Sequence, residues 1–198
     1  MRLVEGIGVN DAEYSVTRFE LVDGKRKRVW VCPYYQAWHS CITRSYSERF
    51  HARRPSYSAC SMAREWLTFS KFREWMASQD WSGKALDKDI LHPGNKIYSD
   101  YHCVFVSKEL NNFILDQPSR TGDYPIGVSL HKRTNTLRAD CMNPFTKKKE
   151  SLGHFSCANL AHEAWLARKH YHACAYAEMQ DDPRVAHALR TRYMKERM

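Results

Sequence analysis

Asp87, Lys88, Asp89, Asn95, His102 and Asn111 fall within one short stretch of the chain. Carboxylate and amide oxygens of this kind suit a hard divalent cation such as Mg2+ or Mn2+. A cation so held can stabilise the leaving oxygen when a phosphodiester is cut. A neutral imidazole nearby can take a proton from water. Leu86–Ile90 reads as a short strand with charges on one face, and His92–Lys96 as a loop of strong turn residues. Cys103–Val106 reads as a short buried strand, after which Ser107 caps a helix holding Leu110, Phe113 and Ile114. On that reading Asp87 to Asp89 end the first strand, His102 begins the second and Asn111 sits about one turn into the helix. The first strand then lies against the helix, where a carboxylate and an amide can meet. Surface charges and turn residues would supply the same side chains, so spacing alone leaves both readings open.

Other elements must carry this stretch. Tyr14–Val22 alternates roughly by two, Asp23-Gly24 is a hairpin turn signal, and Lys25–Arg28 is a basic run before Val29-Trp30-Val31. After Pro33 the period changes. Tyr35, Trp38 and Ile42 stand three and four apart, as on a helix, and the basic continuation Arg44–Arg54 ends at Pro55. A second helix is expected from Ser70 as N-cap, with Phe72, Trp75 and Met76 on its apolar face. Gln117–Pro125, with two prolines and a glycine, is the best linker in the chain. Beyond it Ile126–Leu130, Thr136–Cys141 and Glu150–Phe155 read as three strands. Leu160, Ala164, Ala167, Tyr171 and Cys174 then share one helical face, which is expected to be core. Three strands backed by one helix bury both apolar faces. The charged tail from Asp181 places Val185, Leu189 and Tyr193 four apart on a last helix.

Charge narrows the partners. The 198 residues carry 31 Lys and Arg against 22 Asp and Glu, a formal net charge of +9. That excess favours a polyanion, because each neutralised phosphate releases a condensed counterion. Hydrophobic residues make up 43%, an ordinary globular share that argues against disorder. No window approaches a membrane span, and the first residues meet an acid and a glycine before any apolar run, so no signal peptide is expected. The seven cysteines are odd in number and lack any CxxC pair. They are expected to be reduced, buried and neither disulfide-linked nor zinc-bound.

Longer blocks carry a resemblance. Tyr35-Gln36-Ala37-Trp38, Arg44-Ser45-Tyr46, Tyr57–Cys60, Glu65–Phe72, Leu86-Asp87-Lys88-Asp89-Ile90, Gly94–Ser99 and Cys103–Val106 together resemble phage-encoded HNH homing-endonuclease-like proteins. Gly127–Arg133, Leu137-Arg138-Ala139, Leu152–Phe155 and Ala161–Trp165 resemble the DNA-binding domain of plant ethylene-response factors, three antiparallel strands and a helix whose sheet lies in the major groove.

These resemblances imply an α+β fold: a central strand–strand–helix (ββα-metal, HNH-like) core with flanking helices, then a three-stranded antiparallel sheet packed on one helix. The domains expected are an N-terminal hairpin over 1–32, an HNH-like nuclease domain over 33–117, a DNA-binding domain over 125–178 and a charged C-terminal helix over 179–198. Asp87, Asp89 and Asn111 would hold Mg2+ or Mn2+. The family's general-base histidine is replaced by Lys88, which cannot activate water unless its pKa falls sharply. His92 and His102 are the alternative bases, with His102 standing where the family has its central asparagine, and Asn95 would order the loop. His131, Lys132, Arg133, Arg138, Lys147, Lys148 and Lys149 would meet double-stranded DNA, arginine suiting guanine edges and lysine phosphate.

The function implied is a phage HNH-type endonuclease acting in the cytoplasm of the infected host. The alternative, favoured by Lys88, is a catalytically inactive, sequence-specific DNA-binding protein with a degenerate HNH site. A third reading, a protein-interaction module, would use the tryptophans crowded into the N-terminal half.

Overall fold

The computed structural model describes residues 3–116 and 123–194. Most of the expected linker, residues 117–122, lies outside the described residues. The fold is mixed α+β, with small sheets that include one three-stranded antiparallel sheet. Among the described residues no helix is long and apolar enough to cross a membrane. The chain divides into two compact units, Met1–Val106 and Ser107–Met198. The segment expected as one nuclease domain, 33–117, is therefore shared between the two.

The first unit opens with the hairpin β1 (Thr17–Val22) and β2 (Lys25–Val31). Asp23 and Gly24 both take positive φ, 53° and 70°, the geometry of a two-residue turn whose twist matches its strands. Pro33 then starts α1 (Pro33–Tyr46), followed by α2 (Glu48–Arg53). The core forms where Trp38 and Ile42 of α1 meet Phe69, Phe72 and Met76 of α3 (Phe69–Ala77). Trp38 is fully enclosed and its indole Nε1 donates to the Trp66 carbonyl at 2.7 Å, so no polar atom of that ring is left unsatisfied. Helix α3 begins one residue before the expected Ser70 cap. Its cap residue, Thr68, makes no side-chain cap bond, and the Ser70 amide donates instead to Asp11 Oδ1 at 2.9 Å. A carboxylate remote in sequence thus does the work expected of a local hydroxyl.

Two short pairs complete this unit. β3 (Ser61–Met62) and β5 (Ile97–Tyr98) run parallel, while β4 (Ala85–Asp87) and β6 (Val104–Val106) run antiparallel with Asp87 opposite Val104. The strand expected over Leu86–Ile90 ends early because Asp87 turns the chain. His102 sits just before the second strand rather than in it.

In the second unit Ser107 caps α4 (Lys108–Ile114), its Oγ accepting the Leu110 amide at 3.1 Å, and Leu110, Phe113 and Ile114 are buried as expected. The sheet is β7 (Val128–His131), β8 (Thr136–Met142) and β9 (Lys149–Phe155), in that order and antiparallel. Helix α5 (Ala158–Ala177) covers one face and α6 (Pro183–Arg192) packs on α5. Gly127 has φ +83°, and a Cβ there would fall inside the Trp165 indole. Glycine is needed for the close approach as much as for the dihedral.

The buried stripe of α5 corrects the expected one. Leu160 is 49% exposed and Tyr171 63%, whereas Ala161, Trp165, Lys169, His172, Ala173 and Tyr176 are buried. Two polar residues face inward because each has partners. Lys169 Nζ donates to the Phe113 carbonyl at 2.6 Å and pairs with Asp116 at 3.1 Å, while His172 Nε2 meets Glu150 Oε2 at 3.0 Å. The Phe113 ring lies 3.9 Å below the Lys169 ammonium, a cation–π contact. Burial pushes the Lys169 pKa down and Asp116 opposes that shift. The tail helix matches its spacing, with Val185, Leu189 and Tyr193 buried.

All seven cysteines are free thiols. Cys32, Cys41, Cys60, Cys103 and Cys141 are buried, Cys157 is exposed and Cys174 half-buried. Burial pushes Cys41 up to about 12 and Cys141 up to about 11, and raises Cys60 and Cys103 as well. Only thiolate reacts quickly with a disulfide reagent. In native protein at pH 8, Ellman's reagent should titrate Cys157 and then Cys174, with the remaining five released only by denaturant. Rapid native reaction at Cys41 or Cys103 would contradict this packing.

Candidate functional site

The chain after β4 is shaped by Asp87. One carboxylate oxygen, Oδ1, accepts the amides of Asp89 at 2.7 Å and Ile90 at 2.6 Å. The other has no hydrogen bond among the described residues. Burial raises the Asp87 pKa above 3.8, and the two amides only partly offset it. Aligned donors fix where this carboxylate points while its surroundings make its charge costly.

Lys88 follows and turns inward. It is 5% exposed, and its Nζ donates to Asp89 Oδ1 at 2.6 Å and to the Asn95 carbonyl at 2.8 Å, 5.9 Å from the Tyr98 ring centre. Asn95 answers from the other side of the loop. Its Nδ2 donates to the carbonyls of Lys88 and Ile97, each at 2.8 Å, and its Oδ1 accepts the Ile97 amide at 3.1 Å. The two residues close a loop from 88 to 97 into a ring of hydrogen bonds. Lys88, expected among the catalytic residues, is corrected to a positioning residue. An ammonium donating to two loop oxygens has no lone pair for a water and is enclosed away from any phosphate. Asn95 orders the loop as anticipated. Asp89 spends one oxygen on Lys88.

His92 and His102 are brought together, with ring centres 5.1 Å apart. Tyr101, absent from the sequence-derived set, joins them. It stacks on His92 at 5.0 Å and meets His102 edge-on at 5.0 Å. Ser99 orients His102 doubly, since its Oγ accepts the His102 amide at 3.2 Å and lies 2.7 Å from Nδ1. If Nδ1 carries the proton and donates to Ser99, Nε2 is left as a base. Only the direct adjacency of Tyr101 and His102 in sequence could have hinted at this cluster. Asn111 lies on α4, in the second unit, and its Oδ1 is buried with no hydrogen-bond partner among the described residues. Among the described residues no group of three or more His, Cys, Asp or Glu could hold a metal ion.

The sheet of the second unit separates an apolar from a polar face. Val128, Leu130, Leu137, Ala139 and Phe155 alternate onto the face covered by α5, and Ser129, Arg138 and His154 form a row on the other. Arg138 is forked onto Asp140 Oδ2 at 2.7 and 2.8 Å, and Lys149 reaches the same oxygen at 3.1 Å. Both are held rather than free. Lys132 and Arg133 in the β7–β8 turn, and Lys147 and Lys148 in the β8–β9 turn, are exposed without ion pairs among the described residues. His131 heads a hydrogen-bonded chain on the polar face: Nδ1 to Thr134 Oγ1 at 2.7 Å, on to Thr136 Oγ1 at 2.7 Å, then to His154 Nδ1 at 2.8 Å. Thr134, Thr136 and His154 had not been singled out in the sequence. Cross-strand pairing, invisible without register, joins them.

No protein-family model, curated protein or solved structure matches the chain.

Two substitutions test this loop. Asn95→Ala removes the partners of two carbonyls and an amide, and should cost about 2 kcal/mol in urea melts. A loss below about 0.5 kcal/mol would show that the ring of bonds is not what holds the loop. Asp87→Asn keeps an oxygen for the two amides. Because burial raises the Asp87 pKa, its stabilisation is present below 3.8 and withdrawn as pH rises through the raised value. The melting temperature of Asp87→Asn should therefore match or exceed that of the unmodified protein at pH 7, with the advantage shrinking towards pH 4. A clear loss at pH 7 would contradict the burial argument.

Proposed function

We propose that the chain is a phage-type HNH endonuclease, homing-endonuclease-like, that binds duplex DNA and cuts a phosphodiester bond with a divalent metal. The observation that carries the reading is Asp87. A half-buried carboxylate, aimed by two amides on one oxygen and with no partner on the other among the described residues, sacrifices stability for a ligand-ready group. The resemblance expects a further ligand at Asn111 on α4, whose Oδ1 is buried with no hydrogen bond among the described residues. A hard cation takes few protein oxygens and keeps its waters, so a sparse donor set fits. When bound, Mg2+ or Mn2+ supplies positive charge against the oxygen that leaves phosphorus. The chain's own groups do the rest. Lys88 and Asn95 hold the loop, Ser99 aims His102, and His102 or His92 takes the proton from the attacking water. The polar sheet face of β7–β9 and its free turn lysines and Arg133 hold the DNA.

A second reading is favoured by Lys88. With the family's base position filled by an enclosed ammonium, the chain would bind a DNA sequence without cutting it.

Nicking of supercoiled plasmid by the purified full chain, in Mg2+ or Mn2+ against EDTA, separates the two. Asp87→Asn and Asn111→Ala should each slow nicking by about a hundredfold or more while duplex affinity stays within about threefold. His102→Ala and His92→Ala, compared side by side, identify the base. Nicking by Asp87→Asn at the unmodified rate would reject the site. Salt-sensitive duplex binding with no nicking in any metal would establish the non-cutting protein.

A further inference from the structure

The β1–β2 hairpin is exposed over nearly its whole length, which a two-stranded ribbon ordinarily cannot sustain without a partner. Its register sorts the side chains. Leu21 pairs with Arg26 and Phe19 with Arg28, so these four share a face. Arg18 pairs with Trp30 across a bulge, and alternation along β1 places that pair on the other face, with Glu20. The opposite face carries Glu20 and Lys27, and the turn residue Asp23 pairs with Lys27 at 3.7 Å. One face thus holds Arg26, Arg28, Phe19 and Leu21, and none of the hairpin's carboxylates. Leu21 is 78% exposed and Phe19 43%.

One arginine on each face is braced. The Arg26 guanidinium lies 4.4 Å from the centre of the Phe19 ring and that of Arg18 lies 5.6 Å from Trp30. A guanidinium laid on a ring still offers its N–H edges, and its stem has lost most of the freedom that binding would otherwise remove. Below the hairpin, the Cys32 amide donates to the Val16 carbonyl at 2.8 Å, tying the two strand ends at the start of α1.

We propose that this arginine–aromatic face is a second binding surface for duplex DNA, separate from the β7–β9 sheet; the proposal rests on duplex DNA being the partner inferred above. Charge complementarity selects the occupant. Arg26 and Arg28 stand two residues apart, about 6.8 Å along a strand, which spans about two phosphates of one DNA strand. A two-stranded ribbon is of a size the major groove admits. Arginine forks meet phosphate or the guanine edge bidentately, and the apolar tips of Leu21 and the Phe19 ring give the ribbon a face to bury there.

The test uses the full chain and a fluorescent duplex, with anisotropy read across a series of salt concentrations. Arg26→Gln/Arg28→Gln should weaken binding at least about tenfold in 0.1 M salt and flatten the log–log salt slope by roughly 2. Arg26→Lys/Arg28→Lys keeps the charge and should keep the slope while losing part of the affinity; it separates lost contacts from a misfolded hairpin, with circular dichroism and melting temperature as checks. An unchanged slope and affinity in the glutamine variant, with Lys132→Gln/Arg133→Gln still weakening binding, would overturn the hairpin surface and leave the DNA reading standing. Absence of any salt-dependent duplex affinity in the unmodified chain would overturn both. Binding of vesicles of phosphatidylserine and phosphatidylcholine that depends on the hairpin arginines, with duplex binding that does not, would assign the face to a lipid surface instead and overturn the proposal.

Discussion

A lysine ammonium enclosed in protein must find oxygens, and Lys88 finds two of them inside its own loop. The loop between β4 and β5 is held by that requirement. Breaking either bond would leave a buried charge short of partners, which costs more than the bond itself contributes. Asn95 completes the arrangement by bridging the two sides of the loop, and Asp87 turns the chain at its start. Each of these polar residues spends its hydrogen-bonding capacity locally. Among the described residues, what remains unspent is one oxygen of Asp87, the His92 imidazole and Nε2 of His102, the groups that the proposed function assigns to the reaction.

The second unit applies the same economy to its core. Its hydrophobic cluster on the sheet is small, centred on Val128, Ala139 and Ala161, so part of the interior is polar. Lys169 sits among Phe113, Trp165 and Tyr193 with Asp116 as counter-charge. His172 and Asn143 both bond Glu150, lowering its pKa. Such contacts are directional where apolar packing is not. The His172–Glu150 bond ties α5 to β9, and the Lys169 contacts tie it to α4 and Asp116.

Local signals in the sequence read correctly where the physics is local. The Ser107 cap, the Asp23-Gly24 turn and the four-residue spacing of Val185, Leu189 and Tyr193 need no information from elsewhere in the chain, and each stands as expected. So does the antiparallel order of the three later strands. The expectations that failed depend on distant partners. Ser70 was read as its own cap, but Asp11 supplies the oxygen. Leu160 and Tyr171 fit an apolar stripe, but Lys169 and His172 displace it because they have partners that no periodicity records. Two-residue strands such as β3 and β5 are too short to leave a pattern. Within the candidate site Asp87, His92 and His102 were named from the sequence, but the closeness of the two imidazoles was not. Lys88 was named in the site because the resemblance puts it at the general-base position, and its enclosure follows only from the positions of Asn95 and Asp89.

The threonine–histidine chain on the polar sheet face has a consequence in proton counting. Three hydrogen bonds link His131, Thr134, Thr136 and His154, and each needs one hydrogen. The two hydroxyls supply two, so at least one imidazole must give its Nδ1 hydrogen to the chain. When that ring is neutral, its Nε2 is a bare lone pair. A surface otherwise furnished with N–H donors from lysine and arginine therefore includes at least one acceptor, fixed in place by two neighbouring threonines. Under the proposed duplex partner, the exocyclic amine of adenine or cytosine would meet there an acceptor that no basic side chain provides.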